Sequence, residues 1–175
     1  MYINILLLIL TMMFSSVALA TSPSQQFFQN LKAYCGQTMV GKSVFPVSKE
    51  DAFYGKTLVM KVASCTETEM RIPFSVGEDH SRTWILTLTE KGLLFKHDHR
   101  LEDGSPDKLT MYGGYSDGSG SAFEQHFPAD AETKQLVPKG KTNVWSLTLD
   151  KKNAQFIYYL SRHNEPRFKA VFDLK

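Results

Sequence analysis

Only two of the 175 residues are cysteine, Cys35 and Cys65, and no CxxC redox pair is present. Charge of either sign is nearly balanced, 20 basic residues against 18 acidic, for a net charge of +2. That excludes a dedicated nucleic-acid binder, whose Lys and Arg gather on one face. Signatures of nucleotide and calcium sites are missing as well. Tyr112-Gly113-Gly114-Tyr115 is followed by no GK[ST] and opens no helix, so it is not a phosphate loop. Asp103-Gly104-Ser105-Pro106-Asp107 and Asp117-Gly118-Ser119-Gly120 lack the spaced acids and closing Glu of an EF-hand and read as hairpin turns. No internal repeat or low-complexity tract occurs, and no motif names a reaction. What is present, 42% hydrophobic and 12% aromatic residues, is ordinary globular composition. The length suits one domain with a real core.

Residues 1–20 carry no Lys, Arg, Asp or Glu. Their apolar centre, Ile5-Leu6-Leu7-Leu8-Ile9-Leu10, continues through Met12-Met13-Phe14 to Val17-Ala18-Leu19-Ala20, with small residues where a signal peptidase reads. This is expected to be a secretory signal peptide cleaved after Ala20. The rival is an uncleaved anchor, but Thr11 and Ser15-Ser16 interrupt a run already shorter than the ~20 residues of a membrane span. Residues 21–175 then form the exported domain, periplasmic in a bacterium with two membranes and otherwise secreted. An oxidising compartment favours joining Cys35 to Cys65. A bridge closing a loop of roughly 30 residues contributes about 3 kcal/mol on the chain-entropy model. The alternative is two separate buried thiols.

After the leader, Ser22-Pro23-Ser24-Gln25 combines a capping box with Pro at the first helical position. Phe27, Phe28, Leu31, Tyr34 and Cys35 follow at helical spacing, and Gly36 terminates. From there the period is two. Leu58, Met60 and Val62 alternate with Val59, Lys61 and Ala63; Met70, Ile72, Phe74 and Val76 form another such run, as do Trp84, Leu86 and Leu88. Trp145, Leu147 and Leu149, then Phe156, Tyr158 and Leu160, then Phe168, Ala170 and Phe172 repeat the pattern. Weaker runs lie near 38–45, 93–99, 108–113 and 122–127. Such alternation predicts about ten strands with one face buried and one wet. Residues 128–141 form a non-strand insertion with a helical turn at 130–136.

Sequential hairpins with an apolar face must close or sandwich. The predicted fold class is all-β: a single up-and-down antiparallel β-barrel of the lipocalin or fatty-acid-binding kind, with a short N-terminal helix. A β-sandwich is the alternative. An outer-membrane barrel is disfavoured because the second faces carry Lys96, Asp98, Arg100, Arg167, Lys169 and Asp173. Trp84, Trp145 and the abundant Phe and Tyr are core material first, but in a closed barrel of about ten strands the side chains need not fill the interior, and a small apolar ligand can fit.

Leu93-Leu94-Phe95-Lys96-His97-Asp98-His99-Arg100 is the most informative segment. Leu93 and Phe95 share a face with His97 and His99, so both imidazoles are expected inward near the strand's end. They are candidates to orient a polar head group, with Tyr112 and with Arg82 or Arg100 nearby, or to bind one metal if a third ligand joins them. His126 shares parity with Glu124 and points outward, and His80 sits in a turn. Gly77-Glu78-Asp79-His80-Ser81-Arg82 gathers an acid pair, a His and a Ser, but no nucleophile elbow supports a Ser–His–Asp mechanism. Glu78 and Asp79 are expected to shape the turn and pair with Arg82 or Arg100.

The segments Arg71-Ile72-Pro73-Phe74-Ser75-Val76-Gly77-Glu78-Asp79-His80-Ser81-Arg82-Thr83-Trp84, Lys96-His97-Asp98-His99-Arg100-Leu101-Glu102-Asp103-Gly104-Ser105 and Thr110-Met111-Tyr112-Gly113-Gly114 carry a resemblance. Through them the chain resembles an uncharacterised family of secreted bacterial proteins over nearly all of residues 21–175. That resemblance implies export but brings no established activity, cofactor or site residue.

The leading expectation is therefore an exported, soluble barrel binding a small, mainly apolar or amphipathic ligand, with His97, His99, Arg82, Arg100, Tyr112 and Trp84 at the polar end. One alternative is a metal-dependent enzyme or metal-binding protein using His97 and His99. Another is an envelope interaction or inhibitor module acting through the loop at 128–141. Nucleic acid and stable membrane insertion are not expected as partners. The sequence names no cofactor, no catalytic residue and no oligomeric state.

Overall fold

Ser22 begins the structure as its sequence predicts. Its hydroxyl accepts the Gln25 backbone N–H, its own N–H donates to the Gln25 side chain at 2.8 Å, and Pro23 opens helix α1 (Pro23–Lys32). The computed structural model describes residues 21–46 and 48–174, so the expected leader at 1–20 lies outside the described residues. Tyr34 and Cys35, expected within the helix, fall in the turn after it. Their N–H groups donate to Leu31 and Lys32, three residues back, which is the tightening that ends an α ladder.

The strands follow in order: β1 (Thr38–Phe45), β2 (Thr57–Lys61), β3 (Ser64–Cys65), β4 (Glu69–Val76), β5 (Asp79–Thr89) and β6 (Gly92–His99). Then come β7 (Tyr112–Tyr115), β8 (Glu124–Pro128), helix α2 (Ala131–Leu136), a 3-10 turn at Pro138–Gly140, β9 (Asn143–Asp150), β10 (Gln155–Arg162) and β11 (Glu165–Asp173). All belong to one antiparallel sheet in the order β7-β6-β5-β4-β2-β1-β11-β10-β9-β8, with β3 added beside β4. Strands consecutive along the chain pair from β4 to β7 and from β8 to β11, β2 pairs with both β1 and β4, and β1 pairs with β11, so the sheet curls into a nearly closed up-and-down barrel. The apolar alternation predicts this outcome: a single curled sheet hides one face of every strand at once.

The barrel closes where β7 meets β8, and there a side-chain latch takes the place of a ladder. Backbone bonds from Asp117 N–H to His126 O and from Asp130 N–H to Gly113 O, each 3.0 Å, tie the two ends of the seam. The Thr133 hydroxyl accepts the Gly113 N–H at 2.7 Å and lies 2.8 Å from the Gly113 carbonyl, clipping α2 to β7. A Cβ on Gly113 would stand 1.9 Å from the Phe95 carbonyl, and one on Gly114 1.9 Å from the Pro128 carbonyl. The glycine pair marks backbones in contact.

Two expectations need correction. The strand expected near 108–113 begins only at Tyr112. Residues 100–111 form a loop, held by the bond from Asp107 N–H to His99 O and by the Asp107 carboxylate accepting Leu109 N–H at 2.8 Å. Nor is the outer face of β6 wet, since Lys96 and Asp98 are only 8% and 6% exposed. Segment 128–141 lies over Lys96, whose Nζ meets the Asp130 carboxylate at 2.7 Å. Asp98 sits under the loop, accepting the fork of Arg100 at 2.9–3.1 Å and the Thr110 hydroxyl at 3.1 Å.

Helix α1 closes one end of the barrel. Phe27, Phe28 and Leu31 are wholly buried and pack with Leu86, Leu93, Leu149 and Phe156 in a single core. Burying side chains of this size stabilises by about 1.5–3 kcal/mol each. Cys35 and Cys65 are joined, fixing the end of α1 to β3.

Candidate ligand-binding cavity

Above the core the barrel is hollow. A cavity of about 510 Å³ occupies the end opposite α1, within the range of small-molecule sites. The period of two positions its wall. Trp84 comes from β5, Trp145 from β9, Tyr158 and Leu160 from β10, and Phe168 from β11, each the inner-face residue of its strand at that level. Trp84 and Tyr158 stack with ring centres 4.8 Å apart and planes 7° from parallel. Below them Phe95, Phe156 and Phe172 are wholly buried in the core.

The polar side of the cavity comes from β6 and β7. His97 and His99 both face inward, as their shared parity with Phe95 predicts, and both line the cavity with Tyr112. His97 is stacked on Tyr112 at 4.6 Å. Its Nδ1 lies 3.2 Å from the Tyr112 carbonyl, which can only accept, so Nδ1 carries the hydrogen. Nε2 then accepts from the Tyr158 hydroxyl at 2.9 Å. Burial lowers the His97 pKa to about 3, which keeps the ring neutral. Burial and then the Arg82 charge also lower the pKa of His99. The Tyr112 hydroxyl, 3.0 Å from His99 Nε2, is pushed up to about 12 by burial, and burial raises Tyr158 well above the ordinary phenol value.

This donor set bears on metal binding. Both nitrogens of His97 are engaged, and among the described residues no group of three or more His, Cys, Asp or Glu is placed to hold an ion. His126 points outward, its Nδ1 bonded to Ser146 at 2.8 Å and its Nε2 lying 3.2 Å from a Glu124 carboxylate oxygen. His80 bonds Ser75 at 2.7 Å in the β4–β5 hairpin.

The structure thus brings together five of the expected residues, Trp84, Arg82, His97, His99 and Tyr112. Arg100 is not among them: it lies on the other face, gripping Asp98. Arg82 pairs with Asp79, whose carboxylate Ser81 and then Arg82 hold well below its usual range. The Cys35–Cys65 bridge lies at the closed end. Sequence reasoning overlooked Arg162 and Arg167 on the lining. Arg162 continues the Phe156, Tyr158, Leu160 spacing and was accessible to the same parity argument. Arg167 has the wrong parity for the interior and carried no such signal. Comparison of the chain with protein-family models, curated proteins and solved structures finds no match in any of the three.

Proposed function

We propose that the protein holds a small, mainly apolar molecule in the open end of its barrel, as an exported binding protein rather than as an enzyme. The observation that carries this reading is the roughly 510 Å³ cavity, walled by Trp84, Trp145, Tyr158 and Phe168 above a solid core. His99 and Tyr112 give the ligand a polar contact at the wall, whereas His97 serves the wall itself through Tyr158 and the Tyr112 carbonyl. The Cys35–Cys65 bridge supports export, because such bridges persist in oxidising compartments.

Native mass spectrometry of the protein from its own exported fraction, set against the denatured mass, tests this. An organic mass present only in the native spectrum is expected, and Leu160→Trp, which fills the cavity, should remove it. A bare native mass together with no saturable binding of the neutral fluorophore phenylnaphthylamine would overturn the reading.

A further inference from the structure

Strand β11 carries one residue more than its partner. Leu160 pairs with Phe168 but Ser161 pairs with Pro166, so Arg167 is the extra residue of a bulge. Consecutive residues of a regular strand face opposite sides, yet Arg167 and Phe168 both line the cavity. A bulge re-aims a side chain in this way. Across the ladder, Arg162 follows Tyr158 and Leu160 on the inner face of β10 and lines the same mouth. Both arginines also border a shallow depression beside the mouth, with Lys139, His163 and Glu165.

The charges around the mouth are not evenly matched. Arg82 is paired with Asp79, and the carboxylates of Asp51 and Asp107 also line the cavity. Those two carboxylates accept backbone N–H groups of Phe53 and Leu109 at 2.8 Å. Arg162 and Arg167 make no ion pair among the described residues. Arg162 Nε donates to Asn143 Oδ1 at 2.8 Å, a neutral partner that fixes the guanidinium without offsetting its charge. Two guanidiniums at the edge of an apolar cavity, one oriented by an amide and the other turned in by a bulge, suit an oxyanion, which accepts their fork of N–H donors.

We propose that Arg162 and Arg167 bind the head group of the cavity's ligand, which makes that ligand an amphipathic organic anion. Its apolar body lies against Trp84, Trp145 and Phe168, and its carboxylate, sulfonate or phosphate sits at the mouth between β10 and β11. The inference rests on the cavity reading above and adds the sign and place of the ligand's charge.

Two fluorophores with the same arylamine body test it, anilinonaphthalene sulfonate and the neutral phenylnaphthylamine, titrated into protein with its disulfide intact. The sulfonate is expected to bind about tenfold more tightly. Arg162→Gln and Arg167→Gln should each weaken the sulfonate by about tenfold while leaving the neutral probe within about twofold. Added salt should weaken the sulfonate alone. Leu160→Trp should exclude both probes, and sulfonate binding that survives it would place the anion elsewhere and overturn the proposal. Equal affinities for the two probes, or Arg variants without effect, would overturn the head-group assignment and leave the cavity reading standing. Binding of neither probe would overturn both. Unchanged thermal melting of Arg167→Gln, whose side chain is exposed, separates lost binding from lost fold.

Discussion

Tyr158 on β10 donates its hydroxyl hydrogen to Nε2 of His97 on β6 at 2.9 Å, across the barrel rather than along the sheet. The direction is fixed, because Nδ1 of the same ring is already committed to the Tyr112 carbonyl. Tyr158→Phe leaves Nε2 buried without a partner, at a cost of about 1–3 kcal/mol. Urea denaturation of Tyr158→Phe, His97→Phe and the double variant should show the two losses to be non-additive, the double variant being no worse than the poorer single one. Simple additivity would mean that the bond is not made.

Acid should weaken the fold before its carboxylates titrate. His97 has a pKa of about 3 when folded, against an ordinary value of 6.5. Between those values the unfolded chain takes up a proton that the folded chain refuses. The contribution is whole above about pH 6.5 and falls as pH drops towards 3, by about 1.4 kcal/mol per pH unit for one proton. His99, lowered too, acts in the same direction. Urea midpoints measured from pH 7 to pH 4 should fall in the parent protein and fall less steeply in His97→Gln.

Two glycines should respond differently to alanine. At Gly36, with φ at +84° and nothing within 4 Å of a Cβ, only the backbone conformation is strained, a cost of about 1–2 kcal/mol. At Gly113 the new methyl group would strike the Phe95 carbonyl at 1.9 Å, and φ is +154°. Gly113→Ala should cost more than about 4 kcal/mol, or leave the seam unformed. Thermal melts of the two variants decide it.

Reducing the Cys35–Cys65 bridge, or replacing both residues by Ser, should cost about 3 kcal/mol. Because the bridge belongs to the closed end, phenylnaphthylamine affinity at temperatures where the protein stays folded should change by less than about twofold. A large loss of affinity would mean that the two ends of the barrel are coupled.

Much of the architecture was legible because each strand solves the same problem with the same spacing. Trp84, Leu86 and Leu88, or Phe156, Tyr158 and Leu160, have one way to hide together. The parity of Phe95, His97 and His99 was enough to turn both imidazoles inward. What could not be read was cover supplied from far along the chain. Lys96 and Asp98 look like a wet face until Asp130 and Thr110 are brought over them by segments with no periodicity of their own. The group at the mouth was half legible for a related reason. Arg162 keeps the strand's spacing, whereas the bulge at Arg167 appears only when β10 and β11 are laid side by side. Arg100 looked equivalent to Arg82 by composition, and the partner that claims it, Asp98, stands on the face that parity assigned to water.

Among the described residues, helix α1 closes the end of the barrel opposite the cavity, which opens at the other end. A ligand held as proposed, with its charged group at the mouth, would enter tail first, leave head first and pass the same rim both ways. Strand β11 ends and β1 begins at the stoppered end, where Phe172 and Met39 lie in the core, so a tether attached after Leu174 leaves the rim facing outward.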